Sequence, residues 1–582
     1  MIFRLILPIL ALMCAFPAVL HARDVSPLAA PESATGLNTL SIARGTNFMA
    51  VTAHPDATKA AHDILAAGGT AADAGIAAQL MLGLVEPQSS GIGGGSFALY
   101  YNAEFQNLFS LDGRETAPDN AGLNLFTREN GKPMSFYEAG NGGRAVGVPG
   151  TLRLLEKLYR WESKTPWADL FQPAIAKARD GFTVTSRMHQ MLKKEAKRFD
   201  VDTEAKLYFY PDTATPVQAG KLKDNQKYAD LLQAIADNGA DYFYTDQPAK
   251  NIVEKVRGSK GLLSIEDMTE YKVKEREPVC GDYRGYKVCS MGQSSSGGLT
   301  LLMILGMLEQ FDLPSWGAYS TQSWHVIAET SRLAFADRNL YMADEDFAVT
   351  PNLRLLDKGY LSSRASLINT TAPLKTASAG IPPDWPPEQE NTEDDDLNKP
   401  PGTTNISIVD MYGNILSMTS SIQNAFGSRV MVDGYLLNNE LTDFAFDPMD
   451  DQGRMKLNRV EGGKRPRSSM SPTIIFDPQG RPFMVIGSAG GSRIIGYVLQ
   501  RIISAIDWNM PVEQSIKAPH IVHRGKKLEL ESIGMEKAES FKSFGHPVVV
   551  GEMNSGLTAI QFDGAQMTGV ADPRRDGVAM GE

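Results

Sequence analysis

The run Pro400-Pro401-Gly402-Thr403-Thr404-Asn405-Ile406-Ser407-Ile408-Val409-Asp410-Met411-Tyr412-Gly413-Asn414-Ile415-Leu416-Ser417-Met418-Thr419-Ser420-Ser421-Ile422 is where the texture of this 582-residue chain changes most sharply. From Thr403 to Val409 residues alternate with the period of a half-buried strand, Asp410 to Asn414 turn, and Ile415 to Ile422 return. A core hairpin that begins abruptly at Thr403 is therefore predicted. Upstream, from about Thr376 to Gly402, stand Pro382-Pro383, Pro386-Pro387, Glu393-Asp394-Asp395-Asp396 and Pro400-Pro401. Such a composition buries too little surface to offset its ordering entropy, so a mobile, exposed tail or linker is expected there. A threonine freed as the first residue of a strand has its own α-amine available as a general base for its hydroxyl. An ordinary linker before an ordinary strand is the alternative, and composition alone favours it.

Downstream of the hairpin, short strands are read at Tyr435 to Leu437, Thr473 to Phe476, Phe483 to Ile486 and Ala559 to Phe562, with one helix from Arg493 to Ile506. Gly487-Ser488-Ala489-Gly490-Gly491-Ser492-Arg493 joins an apolar strand to that helix. Backbone N–H groups of such a turn suit an oxyanion or a phosphate. A Walker A loop needs lysine and then Ser or Thr after the last glycine, which Ser492-Arg493 does not supply. Upstream, small and apolar residues at helical spacing run from Ala60 to Leu84 and predict a closely packed helix. Glu86-Pro87-Gln88-Ser89-Ser90-Gly91-Ile92-Gly93-Gly94-Gly95-Ser96-Phe97 follows as a glycine-rich loop into a strand from Phe97 to Tyr101. It follows a helix and lacks the third glycine of a dinucleotide site. Further helical patterns lie at Gly150 to Tyr159, Trp167 to Asp180, Tyr228 to Asn238, Gly298 to Gln310 and Trp324 to Met342.

Hydrophobic residues make up 42% of the chain, enough for a substantial core. The 57 basic and 68 acidic side chains leave a formal charge of -11, with no electrostatic footprint for nucleic acid. Met1 to Ala22 carries Arg4, an apolar run from Leu5 to Leu20 broken by Pro8 and Pro17, and a small residue at its end. It reads as a secretory signal, too short and too interrupted for a span. No later stretch is apolar enough to cross a bilayer, so an exported, periplasmic or secreted protein without a membrane span is expected. Cys14 would leave with the signal. Cys280 and Cys289 flank a turn-forming segment with aromatic arms, which predicts a hairpin and one disulfide, two unpaired buried thiols being the alternative. His520 and His523 have no third ligand at a recognised interval, and the chain has no G-x-S-x-G elbow.

Taken in order, several of these segments resemble the γ-glutamyltransferase (γ-glutamyltranspeptidase, glutathione hydrolase) family of N-terminal-nucleophile hydrolases. The likeness covers most of the chain after the signal. It rests on Glu86 to Phe97, Leu111-Asp112-Gly113-Arg114-Glu115, Ala145 to Thr151, Pro173 to Phe182, Leu333-Ala334-Phe335-Ala336-Asp337-Arg338, Thr403-Thr404, Leu437-Asn438-Asn439-Glu440, Ser468 to Thr473, Gly487 to Arg493 and Asp572-Pro573-Arg574. The resemblance implies an α+β fold, a four-layer αββα sandwich formed jointly by two subunits from one precursor. The large subunit would span 23–402, with its flexible tail at 376–402, and the small catalytic subunit 403–582.

By motif position the resemblance makes Thr403 the nucleophile and Gly402-Thr403 the bond the precursor cuts in itself. Thr404 and Ser421 would support the nucleophile, and the N–H groups of Gly490 and Gly491 would hold the oxyanion. Arg114, with the hydroxyls of Ser468 and Ser469, would take the donor's α-carboxylate, and Glu440 and Asp443 its α-ammonium. The implied substrates are glutathione or other γ-glutamyl compounds, with water, an amino acid or a peptide accepting the acyl group. No organic cofactor and no metal is required.

Three positions depart from the family's pattern. Asn405 stands where members commonly carry histidine, and Gln423 where an asparagine usually helps hold the donor's amino group. The loop from Ala445 to Gly463 lacks the tyrosine of a lid. Gln423 is one methylene longer, which leaves a same-fold acylase of glutaryl-type or other specificity as an alternative. A catalytically silent, unprocessed periplasmic binding protein is the alternative of a different class.

Overall fold

The computed structural model describes residues 38–212, 214–386, 402–450 and 452–582. The signal read at Met1 to Ala22 and residues 387–401 of the linker lie outside these. Two seven-stranded sheets, antiparallel throughout, form the centre. In the first, Gly402–Val409 lies between Met49–Thr52 and Ile415–Gln423, and Val578–Gly581, Gly95–Asn102, Asn107–Gly113 and Lys274–Arg276 extend it outward. The second runs Ser41–Gly45, Gln566–Ala571, Thr558–Asp563, Pro482–Gly487, Thr473–Phe476, Tyr286–Ser290, Val279–Tyr283.

Side-chain alternation on Gly402–Val409 stacks the layers. Ile406 and Ile408 point into an apolar core with the helices Ala71–Val85, Trp167–Asp180 and Gln226–Asn238, whereas Val409 joins the core on the other face. On that other face small polar groups let the sheets approach closely. Ser407 Oγ lies 2.8 Å from Thr558 Oγ1 and donates to Thr558 O, and Ser417 Oγ donates to Ile486 O. A Cβ added at Gly487 would lie 2.2 Å from Asn405 Oδ1, so only glycine fits where the sheets meet. Beyond the second sheet pack Gly297–Leu308, Thr321–Tyr341 and Arg493–Ile506. The result is the αββα sandwich.

The expected helix from Ala60 to Leu84 is two, Pro55–Ala66 and Ala71–Val85. Gly68, at φ +89°, and Gly69 separate them, and a capping box of Thr70 and Asp73 starts the second. The described start of the expected exposed tail, residues 376–386, is largely exposed but is anchored at two points. Trp385 is buried against Tyr341, and Gly380 N donates to Asp337 Oδ1 at 2.8 Å. Cys280 and Cys289 face each other across adjacent strands and form a disulfide, the turn between them carried by Arg284 and Gly285 at positive φ. No helix among the described residues is long and apolar enough to cross a membrane.

Candidate active site

One cleft brings together nine of the residues singled out from sequence: Arg114, Thr403, Ser421, Gln423, Glu440, Asp443, Ser468, Ser469 and Gly491. Its floor is the start of the strand Gly402–Val409. A register irregularity places Gly402 opposite Gln423 and Thr403 opposite Ser421. Ser421 Oγ donates to Gly402 O at 2.8 Å, and Arg575 Nη1 donates to Thr403 O at 2.7 Å, so the carbonyls on both sides of the Gly402–Thr403 peptide nitrogen are held. A Cβ at Gly402 would meet the Asn424 backbone at 2.8 Å, which makes the approach to the threonine a glycine position.

The wall opposite is ionic. Arg114 leaves the strand Asn107–Gly113 at its buried end, and its Nε donates to Pro466 O. Its Nη1 pairs closely with Glu440 Oε1, and its Nη2 lies 2.6 Å from Asp443 Oδ2. Glu440 and Asp443 begin and end one 3-10 turn, so both face the same guanidinium. Burial pushes the Glu440 carboxyl up to about 7, against the opposing pull of Arg114. Gln423 stands at φ +75° and donates from Nε2 to Asp443 Oδ1 at 2.9 Å.

Ser468 Oγ accepts from Met470 N, while Ser469 Oγ accepts from Arg338 Nη2 at 2.8 Å. Arg338 also donates to Ser296 Oγ, so the Leu333-to-Arg338 motif acts on the cleft by fixing a hydroxyl. Gly490 and Gly491, at φ +132° and +60°, form the turn before Arg493–Ile506. Gly491 lines the cleft and Gly490 sits behind it against the Tyr497 ring.

Thr404 and Gly490 are expected at the site but do not line the cleft, and neither does Asn405. Thr404 is buried, and its Oγ1 has no hydrogen-bond partner among the described residues. Asn405 sits between the sheets, its amide 2.6 Å from Thr419 Oγ1 and 2.7 Å from Thr558 Oγ1, so the departure from histidine falls at a packing position. His520 is buried, with Arg501 and Ser555 on its two nitrogens.

Sequence reasoning missed Arg467, Met470, Ser492 and Ile494 on the wall, and the part played by Glu115. Glu115 is fully buried, neither carboxylate oxygen has a hydrogen-bond partner among the described residues, and Arg114 Nη1 is 3.9 Å away. Burial, then the neighbouring Glu440, drive its carboxyl well above the usual range, which favours the neutral acid. Its place in the Arg114-Glu115 motif was the available signal.

A cleft at the head of a central strand in an αββα sandwich defines the N-terminal-nucleophile hydrolase class of fold. The Gamma-glutamyltranspeptidase family model matches residues 57–582, and the chain belongs to that family. It is 34% identical over 552 residues to the glutathione hydrolase proenzyme of Bacillus subtilis (strain 168), covering 92% of each chain. It is also 33% identical over 547 residues to the acylase ACY 1 proenzyme of Pseudomonas sp. (strain SE83), covering 92% of this chain and 93% of that one. Among solved structures, a cephalosporin acylase from Bacillus halodurans superposes with a TM-score of 0.81 at 25% identity over 93% of this chain and 97% of that one. Helicobacter pylori gamma-glutamyltranspeptidase superposes at 0.54 and 34% identity over 55% of this chain and 92% of that one. The protein is thus an enzyme of this family.

Proposed function

We propose that the protein is an exported, self-processing γ-glutamyl hydrolase or transferase with Thr403 as nucleophile. In maturation the Thr403 hydroxyl attacks the Gly402 carbonyl. The Gly402–Thr403 C–N bond breaks as the hydroxyl proton passes to the departing nitrogen, and water hydrolyses the resulting ester to a Gly402 carboxylate and a free Thr403. The Ser421 hydroxyl on Gly402 O polarises the bond to be cut. In turnover the new α-amine takes the Thr403 hydroxyl proton, and the oxygen attacks the γ-carbonyl. N–H groups of the Gly490–Gly491 turn hold the oxyanion, a contribution of about 3 kcal/mol per donor. The leaving amine takes the proton, and water or an amino acceptor then resolves the γ-glutamyl ester.

The Arg114–Glu440–Asp443 cluster carries the γ-glutamyl assignment. A γ-glutamyl head brings one carboxylate and one ammonium. It can part the internal pairs and give each charge a new partner, with Arg114 on the carboxylate and Glu440 and Asp443 on the ammonium. A glutaryl head takes the arginine and leaves two carboxylates without a cation, a loss of a few kcal/mol at a buried site. The contact that favours the acylase reading is Gln423 on Asp443, which occupies one oxygen the ammonium would use.

Two measurements test this. The wild-type protein should run as fragments of about 40 and 20 kDa with a new N-terminus at Thr403, by the usual ~110 Da per residue, while Thr403→Ala stays whole and inactive. An active, uncut wild type overturns the mechanism. γ-Glutamyl-anilide should be turned over at least about 100-fold faster than glutaryl-anilide; equal rates would select the acylase.

A further inference from the structure

Away from the cleft, three side chains converge that the reaction does not use. His325 and Glu329 stand four residues apart on the helix Thr321–Tyr341, which stacks them on one face. His546 reaches them from the loop between Ala538–Ser543 and Val548–Gly551. One donor atom from each lies within 4.8 Å of the other two, and the residues are 0%, 0% and 3% exposed.

A hydrogen bond assigns the ring proton of His325. His325 Nε2 lies 2.8 Å from Asn369 O, which can only accept, so Nε2 carries the proton and Nδ1 presents a lone pair. That lone pair faces His546 Nε2 at 2.6 Å, while His546 Nδ1, on the far side of its ring, faces Glu329 Oε1 at 3.8 Å. The one proton of a neutral imidazole can serve only one of these two contacts, and when it sits on Nδ1 toward Glu329 the Nε2 lone pair meets that of His325 Nδ1. Two acceptors facing each other out of water are unfavourable unless a cation lies between them.

We propose that His325, His546 and Glu329 bind a zinc ion. Two imidazoles and a carboxylate form a three-ligand zinc set with a fourth position for water. The bond from His325 to a backbone carbonyl is the outer contact that fixes a metal-binding imidazole. Glu329 is oriented likewise, by Leu374 N at 2.7 Å and by Arg332 Nη1 at 2.9 and 3.0 Å. Binding opens the 2.6 Å contact between the imidazoles to roughly 3.3 Å, the separation set by two Zn–N bonds of about 2.05 Å at a tetrahedral angle. Arg332 then gives up one of its two contacts with Glu329 and keeps its bonds to Leu374 O and Gly525 O. His325 and Glu329 precede Gly402 and His546 follows it, so the ion would clamp one fragment to the other. The clamp rests on the proposed self-cleavage, whereas zinc binding does not.

Full-length wild type and Thr403→Ala are stripped with EDTA, reloaded with zinc chloride, desalted and assayed for metal. Both should hold about one zinc per chain and unfold several degrees higher than the stripped forms. His325→Gln with His546→Gln should lose both effects, and His62→Gln, outside the cluster, should keep them. Should the double variant not fold, cobalt(II) added to the wild type should give the visible bands of a four-coordinate ion, displaced by zinc. A wild type holding under about 0.1 zinc per chain with no thermal shift overturns the site, as does a folded double variant that binds as much as wild type. The three side chains are then a hydrogen-bonded cluster only. The same zinc content in wild type and in uncut Thr403→Ala keeps this outcome separate from the fate of the self-cleavage proposal.

Discussion

At the scale of the residue, Glu440 is where the proposed specificity meets pH. Its burial favours the neutral form and Arg114 favours the anion, with the balance near 7. The substrate ammonium gains from Glu440 only while that carboxyl is ionised, so the gain is present above about pH 7 and is lost as pH falls through it. In the proposed mechanism the freed Thr403 α-amine must also be neutral to act as base, and free α-amines ordinarily titrate in a neighbouring range. A single pH profile would mix the two. Their separation comes from the ratio of kcat/KM for γ-glutamyl-anilide to that for glutaryl-anilide, because both substrates need the amine and only one has an ammonium. The ratio should fall by up to about tenfold per unit below pH 7 in the wild type and lie flat in Glu440→Gln. A wild-type ratio independent of pH would show that Glu440 does not hold the ammonium.

At the scale of the element, legibility followed how local the cause was. The strand Gly402–Val409 could be read because alternation is a property of neighbouring residues, although it is buried on both faces rather than half-buried, and the helices Trp167–Asp180 and Arg493–Ile506 because their apolar stripe is periodic. The break at Gly68 was hidden among small residues that suit a helix on either side. Trp385 escaped because its burial depends on Tyr341, far from the proline-rich composition around it. At the cleft, motif order brought most of the site together, but the state of Glu115 depends on what surrounds it in space. Gly487 shows the same limit. It reads as the end of a strand, yet its reason is the Asn405 amide, locked between the hydroxyls of Thr419 and Thr558, 2.2 Å from where a Cβ would stand. Gly487→Ala should therefore lose about 1–3 kcal/mol of stability by overpacking, seen as a lower Tm, and should slow turnover by shifting the adjoining Ser488–Ser492 turn. An alanine variant with wild-type Tm would show that the sheets part at no cost.

At the scale of the whole molecule, the proposed cut falls on a bond whose two sides share both sheets and the helical layer over the second. The first sheet alternates ownership: Met49–Thr52, from before the cut, lies between Val578–Gly581 and Gly402–Val409. Likewise Ile415–Gln423, from after it, pairs with Gly95–Asn102. In the second sheet Ser41–Gly45 pairs with Gln566–Ala571 at one end, and Tyr286–Ser290 with Thr473–Phe476 further along. Neither piece retains a sheet that is complete without the other, and both main cores draw on both pieces. Separation would expose the apolar faces and unpaired strand edges of both sheets, a cost on the scale of unfolding rather than of subunit exchange. The cleaved protein should therefore elute as one species in size exclusion, and its fragments should lose structure in a single thermal transition near that of uncut Thr403→Ala. Fragments parted in denaturant and refolded singly should aggregate or stay unfolded, and should recover activity only when refolded together. A small fragment that folds alone, or two well-separated transitions in the mature protein, would mean that the interleaved strands are not what holds the halves together.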